Sequence, residues 1–309
     1  MKERKAFYCN AKVLLLFLVI YGHLLEKRIA DSEIILWQYR AIYAVHIPLF
    51  AFLSGMFLKS EYACIKQMLS AIKWYIPCQL FAMVFYKLTE GREVSLLVPD
   101  WHLWYLLSLF FWAGICYFAV KVKNTKGKAA IIGFSVLLAV LCGYAEGGRL
   151  LSAARTVTFL PFVLAGCSLP GKTGFKKFRV FGSAIGVLAL VTFTLLVPKV
   201  PVAFLYGADS YEMLEISSGA LWRLVFLLLA AGIGFGILSL LPDRPLVLSR
   251  AGVDTMLVYL LHGPIVKIVR NVPMEPMLFC VLAPAIAAII YGGIYLLRYK
   301  KAKQYRIVS

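Results

Sequence analysis

Charge is scarce in this sequence. Asp, Glu, Lys and Arg make up 16% of its 309 residues, against 61% hydrophobic residues. A soluble domain of this length needs more charge to cover its surface, so the composition argues against one. Acidic residues are the scarcer half: 15 Asp and Glu face 33 Lys and Arg, a formal net charge of +18. Cysteine is sparse and scattered. Cys9, Cys64, Cys78, Cys116, Cys142, Cys167 and Cys280 show no CxxC or ligand-like spacing, which speaks against a disulfide framework or a metal site. The sequence also has no low-complexity linker, no visible internal repeat and no signal-peptide cleavage pattern, because the first apolar stretch runs into Glu26, Lys27 and Arg28. It reads as one integral domain over residues 1–309.

Long apolar runs are abundant. Ten candidate spans fall near 6–25, 34–58, 69–88, 102–121, 129–146, 153–169, 180–198, 219–241, 253–271 and 277–298. The fold class is therefore all-α, a polytopic transmembrane bundle of about ten helices in the lipid bilayer. Basic residues set its orientation. With ten spans, 21 of the 33 Lys and Arg share one side, from Lys2, Arg4 and Lys5 through Lys59, Lys66, Lys73, the four lysines of 121–128, the four basic residues of 172–179, Arg244 and Arg250 to the five of the tail from Arg298. The positive-inside rule makes that side cytoplasmic and places both termini there, in a multi-pass protein of the cell membrane. The short span 153–169 carries Arg155 and Pro161, yet without it the later charge pattern inverts. The same rule accounts for the net charge, so no nucleic-acid partner is expected. Homo-oligomerisation is compatible with the sequence.

The stretch KVLLLFLVIYGH puts Lys12 and His23 eleven positions apart in the first span. Eleven residues turn an α-helix about 1100°, roughly 20° past three turns, so the two lie on nearly one face about 16 Å apart. Snorkelling of the lysine and hydrogen-bonded packing of the histidine are the plain alternatives. In the second span His46 stands two residues before Pro48, which frees the carbonyl of Ala44 and kinks the helix. Its depth is expected to match that of His23. Two histidines at similar depth in a membrane suggest function.

These residues carry a resemblance. A basic residue, ten residues and a histidine, then "HxPLFxFLSG" from His46 to Gly55, "WHLWYLL" from Trp101 and "LLHGPIV" from Leu260 resemble the type-three family of integral-membrane acyltransferases, and within it the fucose 4-O-acetylase-related branch. Two positions depart from the pattern: Lys12 stands where arginine is common, and Asn10 where aspartate is frequent. The extracytoplasmic hydrolase-like domain of some members is also missing. The resemblance implies acetyl-CoA as acyl donor, no permanently bound cofactor, and a sugar hydroxyl as acceptor on an envelope or exported glycan. His23 is then the general base, an imidazole suited to take a proton near neutral pH, and His46 orients it or shares the proton. Transient acetylation of His23 is the other mechanism. Lys12, with Lys73 and Lys128, is expected to hold the CoA phosphates.

Other candidates are weaker. Trp101, His102, Trp104 and Tyr105 form an acceptor platform or an ordinary aromatic belt. His262, before Gly263 and Pro264, lines the acceptor site or merely packs. Arg40 is offered for substrate binding, although six residues place it about 240° around the helix from His46. Glu26 tunes His23 or caps the helix. Arg149, Arg155, Asp209 and Glu212 read as solvated loop residues. A sugar or lipid-linked glycan transporter is the rival class, and a non-catalytic sensor the third.

Overall fold

The computed structural model describes residues 3–169 and 174–307. It contains ten α-helices and no strand among them: α1 (Glu3–Leu25), α2 (Glu33–Phe57), α3 (Glu61–Glu90), α4 (Trp104–Ala119), α5 (Thr125–Leu141), α6 (Ala153–Ser168), α7 (Arg179–Leu196), α8 (Gly219–Leu240), α9 (Met256–Val269) and α10 (Pro276–Ile307). Among the described residues nine helices are long and apolar enough to cross a membrane. The tenth, α9, has 14 residues, shorter than a bilayer core needs. Of the basic residues used to orient the chain, Lys2 and Lys172 lie outside the described residues, as do the side chains of Arg4, Lys5 and every residue from Arg298 onward.

Helix ends explain where the boundaries differ from the apolar runs. The α3 helix begins eight residues before the expected 69, because Ser60 accepts from the N–H of Ala63 and starts it there. Its 30 residues reach about 45 Å, more than a bilayer core, so Lys66 and Lys73 stand on a helix and not in a loop. It stops at Gly91, whose φ of 64° suits glycine and whose N–H donates to the carbonyl of Tyr86. Asn124 caps the start of α5 as Ser60 caps that of α3, accepting from the N–H of Gly127 at 2.6 Å.

The chain divides into two compact units, 1–46 with 174–194 and 232–309, and 47–173 with 195–231. In the first, α1 packs on α9, α10 and the 3-10 stretch Val247–Gly252. Asn10 holds that stretch: its Nδ2 donates to the carbonyls of Pro242 (2.8 Å) and Arg244 (3.1 Å), and its Oδ1 accepts from the hydroxyl of Ser249. An aspartate has no hydrogen to give those two carbonyls, which accounts physically for the amide at this position. Asn10→Asp is expected to lose about 2 kcal/mol or more, leaving two acceptors and a buried charge unmatched; lower thermal stability than wild type in detergent checks it. In this unit α7 and α8 also cross with Gly186 against Gly236.

In the second unit α3 packs on α4, α5 on α6, and α4 on α6. Hydroxyls and small residues hold it, as expected where lipid supplies no hydrophobic drive between helices. Ser108 pairs with Ser152 (3.2 Å) and Thr156 (2.8 Å), and the Trp112 indole donates to the Thr156 carbonyl at 2.8 Å. Lys59 is more than an orienting charge: its Nζ donates to the carbonyls of Gly166, Cys167 and Leu169 at 2.5–2.9 Å, capping the end of α6. Of the four loop residues read as solvated, Glu212 is exposed, whereas Asp209 is buried and Arg149 and Arg155 have partners. Arg149 pairs with the buried Asp209 through two bonds of 2.7 and 3.0 Å, and Arg155 sits over the Trp104 ring at 4.9 Å. The fully buried Arg223 donates to the Phe204 carbonyl at 3.0 Å with its guanidinium 4.0 Å above that ring, fastening 202–206 to α8.

Candidate active site

The sequence repeats one local device twice. His46 and His262 each precede a proline by two residues, in HIP and HGP. Each proline lacks an N–H and loosens the helix just ahead of it, at the carbonyls of Ala44 and Leu260. Both imidazoles turn back on their own helices. His46 Nδ1 lies 2.7 Å from the Ile42 carbonyl, and His262 Nδ1 lies 2.6 Å from that of Tyr259 and 3.2 Å from that of Val258. A carbonyl only accepts, so Nδ1 carries the hydrogen in each ring and the lone pair sits on Nε2. Both side chains are buried, at 2% and 0% exposure.

His23 completes the group from the last turn of α1. Its ring stacks on that of His262, with centroids 5.5 Å apart and planes 20° apart. Tyr43 joins it to His46: the tyrosine hydroxyl is 3.4 Å from His23 Nδ1, and its ring meets that of His46 edge-on at 4.6 Å. On the other side Glu26 Oε2 is 3.7 Å from His23 Nδ1 and accepts from Arg270 Nη1 at 2.8 Å. Three imidazoles, a phenol, a carboxylate and a guanidinium thus converge within the first unit. Such a group can accept, hold and return a proton.

The remaining candidates distribute unevenly. Lys12 is half-buried on α1, and Arg40 is half-buried on α2. Lys73 is exposed on α3 and Lys128 half-buried in the first turn of α5, both in the second unit. That unit also holds Trp101, His102, Trp104 and Tyr105, all half-buried. Tyr105 is tied by its hydroxyl to Ser54 at 2.8 Å and packs against Phe50 and Trp112. Among the described residues no group of three His, Cys, Asp or Glu side chains is arranged to hold a metal ion.

Two members of the group escaped the sequence reading. Tyr43 lies three residues before His46, hence on the same helical face, which is a usable signal. Arg270 gave none: a lone arginine after an apolar run looks like any interfacial anchor, and its partner is 244 residues away.

Ten helices among the described residues, nine of them of spanning length, indicate a multi-pass membrane protein, and its first unit holds a group of packed imidazoles. The profile of the acyltransferase-3 family, described as an acyltransferase domain, matches residues 9–298. The chain belongs to that family and is a membrane acyltransferase. No curated protein and no solved structure matches it.

Proposed function

We propose that the protein is an O-acetyltransferase of the fucose 4-O-acetylase-related branch, moving an acetyl group from cytosolic acetyl-CoA to a sugar hydroxyl of an envelope or exported glycan. Both termini are cytoplasmic in this reading, which takes α9 with its flanking residues, 253–271, as one of ten crossings. The observation that carries it is the packing of His23, His262, Tyr43 and His46 in the first unit of a chain matched to the family almost throughout. His23 takes the acceptor hydroxyl proton as the oxygen attacks the thioester carbonyl. The carbon–oxygen bond forms, the carbon–sulfur bond breaks, and the proton passes to the departing CoA thiolate. His46, through Tyr43, shares the positioning of His23.

Lys12 holds the donor in this scheme, and Lys73 and Lys128 assist as further cations for its phosphates. Trp101, His102, Trp104 and Tyr105 receive the acceptor sugar, with Arg40 and His262 contributing polar contacts. The test uses membranes carrying the full chain, labelled acetyl-CoA and envelope glycan. Label reaches the glycan in wild type, and Lys12→Ala raises the acetyl-CoA KM severalfold in a way that excess donor overcomes. Sugar flux into vesicles lacking acetyl-CoA, with no label transferred across a broad glycan panel, would replace this reading with a transporter.

A further inference from the structure

Carbonyls set the tautomers of His46 and His262, and side chains stand beside the ring of His23. Its Nδ1 has two nearby partners. The Tyr43 hydroxyl at 3.4 Å can donate or accept, so it selects nothing. Glu26 at 3.7 Å is different: a carboxylate held by the Arg270 guanidinium at 2.8 Å only accepts. The ring itself is confined by His262 stacked on its face and Tyr43 at its edge, which hinders a flip that would exchange the two nitrogens.

The clamp around this pair is extensive. Lys27 Nζ donates to Asn271 Oδ1 at 2.6 Å, and Arg28 donates to the carbonyls of Met274 (2.7 Å) and Val272 (3.0 Å). Three consecutive side chains, Glu26 with Arg270, Lys27 and Arg28, therefore tie the segment after α1 to the segment after α9. His23 leaves one of those helix ends and His262 stands on the other helix. The joint that fixes Glu26 also fixes the two stacked rings against each other.

We infer that Arg270 and Glu26 are positioning residues for His23, an arginine–carboxylate–imidazole series that places the hydrogen on Nδ1 and leaves Nε2 as the proton-accepting atom. The inference rests on the proposed role of His23 as base. In the reaction, Nε2 takes the hydroxyl proton, the imidazolium so formed faces Glu26, and the proton leaves with the CoA thiolate. A hydrogen bond from Nδ1 to Glu26 needs a closure of under an ångström, the tightening expected between a resting site and its complex with substrate. The charged and titratable groups facing this series include Tyr43 and His46 from α2 and His262 and Lys267 from α9.

The decisive variant is Glu26→Gln. Arg270 would take the amide oxygen, which turns the amide NH2 toward His23 Nδ1 and reverses the tautomer. The chain has four histidines, so ¹⁵N-histidine spectra of the full chain in nanodiscs resolve into few signals, assigned through His102→Gln and the other single replacements. Wild type is expected to show His23 with a protonated Nδ1 and a bare Nε2, and Glu26→Gln to move the hydrogen to Nε2. The kcat for acetyl transfer should fall about 10²-fold or more, with the acetyl-CoA KM within twofold. Arg270→Gln should lose about tenfold, Arg270→Lys should recover most of that, and the double variant should be no worse than Glu26→Gln alone. An unchanged His23 tautomer in Glu26→Gln, or losses confined to KM, would overturn the inference. If the chain transfers no acetyl group, the spectra still decide the tautomer, which separates a failure here from a failure of the proposed reaction.

Discussion

Replacement of His23 by alanine is expected to lower acetyl transfer by about 10²–10⁴-fold, the range for loss of a positioned general base. The loss should appear in kcat, because the side chain acts on the proton that moves and not on the bound donor. His46→Ala should lose less: its ring reaches His23 only through Tyr43, with the tyrosine edge-on to it at 4.6 Å. Matched expression in membranes and initial rates with saturating acetyl-CoA measure both. The 12% exposure of the His23 side chain and its place in the last turn of α1 make a gross folding failure avoidable, and His23→Gln offers a substitute of closer size. A His23→Ala enzyme that transfers at the wild-type rate would remove the residue from the mechanism. Pairing the result with Lys12→Ala separates the two ends of the face predicted from their eleven-residue spacing. Lys12→Ala should act on donor affinity and His23→Ala on turnover.

The second large effect is structural. In the second unit the last turns of α2 and of α6 cross with almost no space between backbones. A Cβ on Gly55 would fall inside van der Waals contact of the Val163 carbonyl, and one on Gly166 would do the same at the Phe52 carbonyl. The clash is reciprocal and involves backbone on both sides, so no side chain can swing away to relieve it. Gly55→Val and Gly166→Val are each expected to destabilise by about 3 kcal/mol or more, at or above the usual cost of overpacking. The close approach is also what lets Lys59, just beyond α2, reach the last carbonyls of α6. Thermal unfolding in detergent and the yield of folded protein read the outcome. Gly292→Ala and Gly293→Ala on α10 are the controls, since a Cβ there meets nothing within 4 Å, and removing glycine from a helix is neutral or mildly stabilising. Equal stability of Gly166→Val and Gly292→Ala would mean that the crossing is not where the structure has it.

Much of the molecule was determined by sequence alone, for reasons that are local. Membrane helices satisfy their own backbone, so a run of apolar residues already defines an element. That is why α1, α2 and α6 begin and end within a few residues of the apolar runs, and why α6 was recoverable despite Arg155 and Pro161. Spacing within one helix was equally legible: the shared face of Lys12 and His23 follows from the turn angle, and the carbonyls left without an N–H partner ahead of Pro48 and Pro264 follow from the ring.

Where a cap decides, the apolar run misleads. Ser60 begins α3 well before the greasy residues do, whereas α9 stops short of its run with no side-chain cap at its start. Tertiary structure alone decided which polar groups meet. Glu26 and Arg270, or Asn10 and Ser249, lie more than two hundred residues apart in the chain and carry no periodic signal. An interfacial arginine and a helix-end glutamate look the same in sequence whether they face water or each other. The ring stacked on His23 and the arginine that holds Glu26 could therefore be read only once α1 and α9 were folded side by side.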